Sequence, residues 1–280
     1  MLKTIQLKKR NIEIVVISDV HLGTYGCHAK ELLHYLSTIK PKKLILNGDI
    51  VDIWQFRKSY FPVTHLKVLK KIIALSTKGT EVFYLTGNHD ELLRKFTDLQ
   101  IGNISLLDKL LLEIDGKKAW FFHGDVFDAS ITHAKWLAKL GGWGYDILIL
   151  INRFINWVLL KMNKPPYSLS KRIKQNVKSA VKFISNFETI CIDLAIDNKF
   201  DYVVCGHIHE PKMEYVETDK GATMYLNSGD WIENLTALEY NDQFWTLYKY
   251  SEHDNPVFDE DEDLDESSIQ ASFMSMLNKK

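Results

Sequence analysis

The chain has 280 residues, enough to bury a sizeable core as one large domain or two small ones. Hydrophobic residues at 46% and charged residues at 25% form an ordinary globular balance, which argues against a disordered, collagenous or coiled-coil chain. A net charge of -1 excludes a general attraction to nucleic acid, so any polyanion has to be met by a local patch.

The first apolar run, IEIVVIS (12 to 18), is short, carries Glu13 and ends in a charged motif. It reads as a first strand and not as the core of a signal peptide. KLILN (43 to 47), TEVFYLT (80 to 86) and AWFFH (119 to 123) are further β-branched or aromatic runs of strand length, each followed at once by polar residues and Gly or Asp. Helical patterns lie between the first three, around Ala29 to Ile39 and His65 to Ser76. Residues 145 to 160, YDILILINRFINWVLL, are apolar but too short to span a bilayer, and they hold Asp146 and Arg153. DYVVC (201 to 205) is one more strand, after which MEYVET, ATMYLN, TALEY and QFWTLYKY alternate as if forming a second, mostly antiparallel sheet. The expected fold is α/β, a two-sheet sandwich flanked by helices over residues 1 to 250. A helical cap insertion is expected at about 130 to 188 and an acidic, disordered tail at 251 to 280. Cys27, Cys191 and Cys205 are too few and too scattered for a disulfide framework, which fits a reducing, cytoplasmic compartment.

The polar residues at the strand ends carry the chemistry. Asp19 and His21 stand in SDVH, Asp49 and Asp52 in NGDIVD, and Asn88, His89 and Asp90 in TGNHD. His123 and Asp125 follow in HGD, and His207 and His209 in GHIH. In layered α/β sheets the carboxyl ends of strands line one edge, so residues far apart in sequence converge there. Asp19, His21, Asp49, Asn88, His123, His207 and His209 offer seven oxygen and nitrogen ligands with no thiolate. That is more than one four-coordinate zinc needs, and it suits two divalent ions such as manganese, with iron or zinc as alternatives. Asp49, in the middle of the set, is the candidate bridge. Extended backbone would aim both members of D-x-H and of H-x-H into one pocket. Gly48, Gly87, Gly124 and Gly206 would allow sharp turns and close approach.

The set D-x-H, GD-x-x-D, GNHD, HGD and GH-x-H, from residue 19 to residue 209, resembles the calcineurin-like metallophosphoesterase superfamily. The resemblance implies that Asp19, His21, Asp49 and His209 hold one metal and that Asp49, Asn88, His123 and His207 hold the other. It makes His89 the histidine off the metals that stabilises or protonates the leaving oxygen, with Asp90 placed to orient it. Hydrolysis would then proceed by in-line attack of a metal-activated water.

Within the superfamily, GDIVDIW with Trp54, SGDW with Trp231, and the long insertion before GHIH resemble the UDP-2,3-diacylglucosamine diphosphatases of lipid A synthesis. The resemblance implies an apolar cap over the metals that takes acyl chains, and peripheral contact with the cytoplasmic face of the inner membrane. On a helix Lys171, Lys174, Lys178 and Lys182 fall on one face and could meet the phosphates of an amphiphilic lipid nucleotide, with Trp54 as a further substrate contact. One departure stands out: that branch has arginine where this chain has His89. A soluble phosphatase or phosphodiesterase is the second reading, and a non-catalytic scaffold the third. Ile53 and Trp54 replace the Arg-Gly of protein serine/threonine phosphatases. A nuclease would need a basic groove, which only the lysine stripe offers, so no nucleic-acid partner is expected.

Overall fold

The computed structural model describes residues 9–53, 60–127 and 186–251. Contacts divide the chain into two units, Met1–Gly124 with Leu194–Lys280, and Asp125–Asp193. In the second unit residues 186–193 are helical, and the buried Phe187 packs edge-on against Phe127 at 6.1 Å. The expected cap contacts Lys171, Lys174, Lys178 and Lys182, the apolar run 145 to 160, Trp54 and the acidic tail all lie outside the described residues.

Among the described residues the first unit holds twelve strands, with helices α1 and α2 between the early ones. In chain order the elements are β1 (Arg10–Ile17), α1 (Ala29–Thr38), β2 (Ile39–Asn47), α2 (Val63–Thr77), β3 (Glu81–Leu85), β4 (Gln100–Ile101) and β5 (Ile104–Leu107). Then come β6 (Lys109–Ile114), β7 (Lys117–Phe122), β8 (Tyr202–Cys205), β9 (Lys212–Thr218), β10 (Gly221–Asn227), β11 (Thr236–Asn241) and β12 (Phe244–Lys249). One sheet runs β12-β11-β1-β2-β3-β5-β4 and the other β6-β7-β8-β10-β9.

Alternation along β1 shows how the layers are built. Val15 and Ile17 join the core beneath α1 and α2, with Leu32, Leu36, Val68 and Ile72. Ile14 and Val16 face the other way into a second core, shared with Phe121, Val204 and Leu226 of the other sheet. A strand buried on both faces cannot alternate apolar with polar, which explains the unbroken apolar run IVVI after Glu13.

The last strands correct the expectation of a separate C-terminal sheet. TALEY and QFWTLYKY are β11 and β12, and β11 pairs antiparallel with β1 in the first sheet. AWFF is β7, which belongs to the second sheet and runs parallel to β8, as β10 does. Edge position and sheet membership depend on pairing partners far away in sequence, which period-2 patterning does not encode.

The parallel strands position the site. β1, β2 and β3 are mutually parallel in one sheet, β7, β8 and β10 in the other. Each therefore delivers its carboxyl-terminal loop to the same edge of its sheet.

Candidate metal centre

Asp19, Asp49, Asn88, His123 and His207 follow β1, β2, β3, β7 and β8, each within three residues of the strand end. Backbone bonds zip the first two loops together beyond the sheet: Asp19 N donates to Gly48 O, and Val20 N and His21 N both donate to Asp49 O. Gly206 N donates to His123 O, and His207 N donates to the Asp19 carboxylate at 3.0 Å, which ties the two sheets' loops to each other.

The result is three overlapping groups of ligand atoms, Asp19 with His21 and His209, His21 with Asp49 and His89, and Asp49 with His123 and His207, and the outer two are the candidate metal clusters. GHIH thus splits its histidines between the clusters. Asp49 lies between them: its Oδ2 is 3.3 Å from His123 Nε2 and 3.9 Å from His21 Nε2. Asn88 has its side-chain oxygen buried, and both of its neighbours touch Asp49: Gly87 lies against it and His89 N donates to its Oδ1 at 2.8 Å.

Convergence is not achieved by extended backbone, and that expectation is corrected. Asp19, His21, Asp49, His207 and His209 all have left-handed φ, between 52° and 69°. Such conformations cost roughly 1 to 3 kcal/mol each for residues with a Cβ, less for Asp and His than for branched side chains, and they cluster where function requires them. Close packing adds a further constraint. Gly48 has φ 84°, and a Cβ there would run into the His123 ring. A Cβ on Gly206 would fall 2.5 Å from both Asp19 Oδ2 and Ser18 Oγ.

The donors fit divalent cations. His123 is buried, and its Nδ1–H donates to Asn47 O at 2.9 Å, so its Nε2 turns a lone pair toward Asp49. His21 Nε2 is buried and makes no hydrogen bond in the protein. Lone pairs set against carboxylate oxygens at such distances require a positive charge between them, and a nitrogen and oxygen set without thiolate suits borderline or hard ions.

Electrostatics agrees. Burial pushes the Asp19 carboxyl up, but the charges of His209 and His123 outweigh it and lower it to about 2. Burial likewise opposes ionisation of Asp49, and the surrounding histidines hold it well below the usual carboxylate range. Burial lowers His21 to about 4, keeping it a neutral donor. Burial acts the same way on His209, but Asp19 3.2 Å away overrides it and raises the ring to about 9. A cation bound in that cluster takes the place of this proton.

His89 faces the first cluster, edge-on to the His21 ring at 4.5 Å, and is about one third exposed. Its Nδ1 is 3.1 Å from Asp52 Oδ2. Burial disfavours its charge, yet the Asp52 hydrogen bond and the charges of Asp49 and Asp52 raise its pKa. The orienting role expected of Asp90 is corrected here. Asp90 accepts from Gly87 N, Ile50 N and the Tyr84 hydroxyl, so its oxygens brace the loops and do not face His89. Asp52 stood in the NGDIVD motif without an assigned role, and the carboxylate three residues after Asp49 was the available signal.

Asp230 was also missed. It is fully buried, accepts from the backbone of Ile232 and Glu233, and lies 4.0 Å from His209 Nδ1. Asn234 donates to Asp230 and to His209 O, which fixes the end of the GHIH loop. The SGDW string marked the place, but through Trp231, a fully buried core ring whose backbone N–H donates to Asp19 O.

Two sheets packed face to face, with two His and Asp clusters at the ends of their parallel strands, define a metal-dependent hydrolase scaffold. Residues 12–211 match the model of the calcineurin-like phosphoesterase family, and the chain belongs to that family. It is a phosphoester-hydrolysing enzyme with a dinuclear divalent metal site. The chain is 26% identical to UDP-2,3-diacylglucosamine hydrolase of Aliivibrio fischeri (strain MJ11), over 84% of this chain and 98% of that one. It is 25% identical to the enzyme of the same name from Blochmanniella pennsylvanica (strain BPEN), over 83% and 93%. Among solved structures, it is similar to a dimetal phosphatase from Danio rerio with TM-score 0.41 and 14% identity, over 85% of this chain and 95% of that one. Among the described residues no helix is long and apolar enough to cross a membrane.

Proposed function

We propose that the protein hydrolyses the pyrophosphate of a lipid-linked nucleotide of the UDP-2,3-diacylglucosamine kind, releasing a nucleoside monophosphate and an acylated sugar phosphate. The observation that carries this reading is the end-to-end similarity to hydrolases of that name, which spans 98% of the Aliivibrio protein, together with a site built for phosphoester chemistry. Asp19, His21 and His209 are proposed to hold one cation and Asn88, His123 and His207 the other, with Asp49 shared between them. Manganese is the proposed ion, with iron and zinc as alternatives. Bound there, the pair would supply an activated water and neutralise charge on the phosphoryl oxygens.

The chain's own residues do the rest. Asp52 holds His89 by Nδ1 and favours its protonated form, so that Nε2 can donate to the leaving oxygen. The His123–Asn47 bond fixes one ligand's tautomer, and Asp230 backs the loop that carries another. Lys171, Lys174, Lys178, Lys182 and Trp54 are proposed substrate contacts, and peripheral attachment to the cytoplasmic face of a membrane follows from the same reading.

The test is turnover of detergent-dispersed UDP-2,3-diacylglucosamine with manganese, followed by phosphorus NMR. Release of UMP at a rate well above that from unacylated UDP-sugars is the expected result. Equal rates on plain nucleotides would favour the second reading, a soluble phosphodiesterase or phosphatase. That reading is supported by His89 standing where the diphosphatase branch has arginine.

A further inference from the structure

The first unit contains a cavity of about 440 Å³ that none of the proposed metal ligands lines. Its walls are the loop after His21, the first turn of α1, the start of α2 and Ile232. Its size falls within the range of small-molecule sites. Two aromatic side chains frame it. Tyr25 and Tyr60 have ring centroids 3.9 Å apart, and Tyr25 is 81% exposed. A tyrosine that far out of the core buries little area for its own fold; one face of its ring packs on Tyr60 and the rest of the residue is in solvent.

The cavity adjoins the site through short covalent and hydrogen-bonded links. Tyr25 is four residues from His21, so no more than about 14 Å of chain separates them. Thr24 N and Thr24 Oγ1 both donate back to His21 O, which shortens that reach. On the other wall Ile232 follows Trp231, whose backbone N–H donates to Asp19 O and whose carbonyl accepts from His28 N. These links tie the Tyr25 and Ile232 walls of the cavity to the backbone of two proposed ligands, His21 and Asp19.

The cavity offers polar groups as well as the apolar Ala29, Pro62 and Ile232. Lys30, Glu31, His28 and Thr64 line it, and His28 Nδ1 lies 3.6 Å from Glu31. An acyl chain would strip water from these groups with nothing in return. A nucleoside uses them: its base stacks on an aromatic face, and its ribose hydroxyls donate to a carboxylate such as Glu31. We propose that this cavity is the nucleoside subsite, with Tyr25 and Tyr60 as the stacking platform for the base; this rests on the nucleotide-linked substrate proposed above.

The experiment is inhibition of bis(p-nitrophenyl) phosphate hydrolysis by UMP and, as the probe lacking a base, by ribose 5-phosphate. Wild type should be inhibited at least about tenfold more strongly by UMP, the factor expected of one stacked base. Tyr25→Ala should reduce that ratio to within about twofold of unity and Tyr25→Trp should restore it. Equal inhibition by the two compounds in wild type, or a ratio that Tyr25→Ala leaves unchanged, would overturn the subsite. Tyr25 is exposed, so its variants fold; Tyr60→Ala is the second position to read. The lipid-nucleotide reading fails separately, by absence of UMP release from UDP-2,3-diacylglucosamine without inhibitor.

Discussion

The two clusters of proposed ligands use the same residue types and are supported in different ways. His123 directly follows β7, lacks the left-handed φ of its cluster mates Asp49 and His207, is buried, and is locked by its bond to Asn47 O. In the other cluster all three members, Asp19, His21 and His209, have left-handed backbones; in each cluster two members are buried and one histidine is part-exposed. Both halves are set by turns, but the first has one ligand, His123, directly after its strand and locked to Asn47 O, while the second has its part-exposed His209 backed by Asp230 and Asn234 from the loop after β10. A rigid ligand set loses less order on binding a cation than one that loops must position. We therefore expect the Asp49, His123, His207 cluster to bind first and more tightly.

Four measurements test this contrast. The largest effect should come from Asp49→Ala, which touches both clusters. Metal content by elemental analysis should fall below one ion per chain, and turnover should fall by about 10^4-fold or more, since water activation is lost. Two ions retained would end the bridging assignment. Next, His89→Ala should keep both ions and lower turnover by about 10^2- to 10^4-fold, the range of a lost general acid. Loss of metal with it would make His89 a ligand.

Asp230→Ala isolates the loop-held half. Affinity there should fall by about 10- to 100-fold, as when the group supporting a ligand is removed, while one ion per chain survives dialysis. If anomalous scattering places the surviving ion at His209, the loop-held cluster is the tighter of the two and the contrast is inverted. The smallest effect should be that of Asp52→Asn, about tenfold on turnover. Its sign in pH is specific. His89 must be protonated to act as an acid, Asp52 raises its pKa, and the variant removes that support. The alkaline limb of the turnover profile should therefore move to lower pH, and a fixed limb would mean that Asp52 only packs.

Much of this was legible along the chain because strand ends are local. The apolar runs of β1, β2, β3, β7 and β8 and the polar residues directly after them are read from consecutive positions, and parallel strands send those residues to one edge. His89 and Asp90 show where that legibility stops. Adjacent in sequence, they made a natural acid and orienting pair. Yet the turn after β3 directs Asp90 back to Gly87, Ile50 and Tyr84, and brings Asp52 from the neighbouring loop to His89.

Residue type and short-range hydrophobic period are properties of contiguous segments, so the chemistry of the donors and the ends of the strands that carry them could be read along the chain. The pairing of β11 and β12 with the first sheet, and the placement of Asp52 and Asp230 behind the ligands, came only from the fold. Those facts depend on left-handed turns and on pairing between segments as far apart as Asp19 and His207, where no local pattern records the partner.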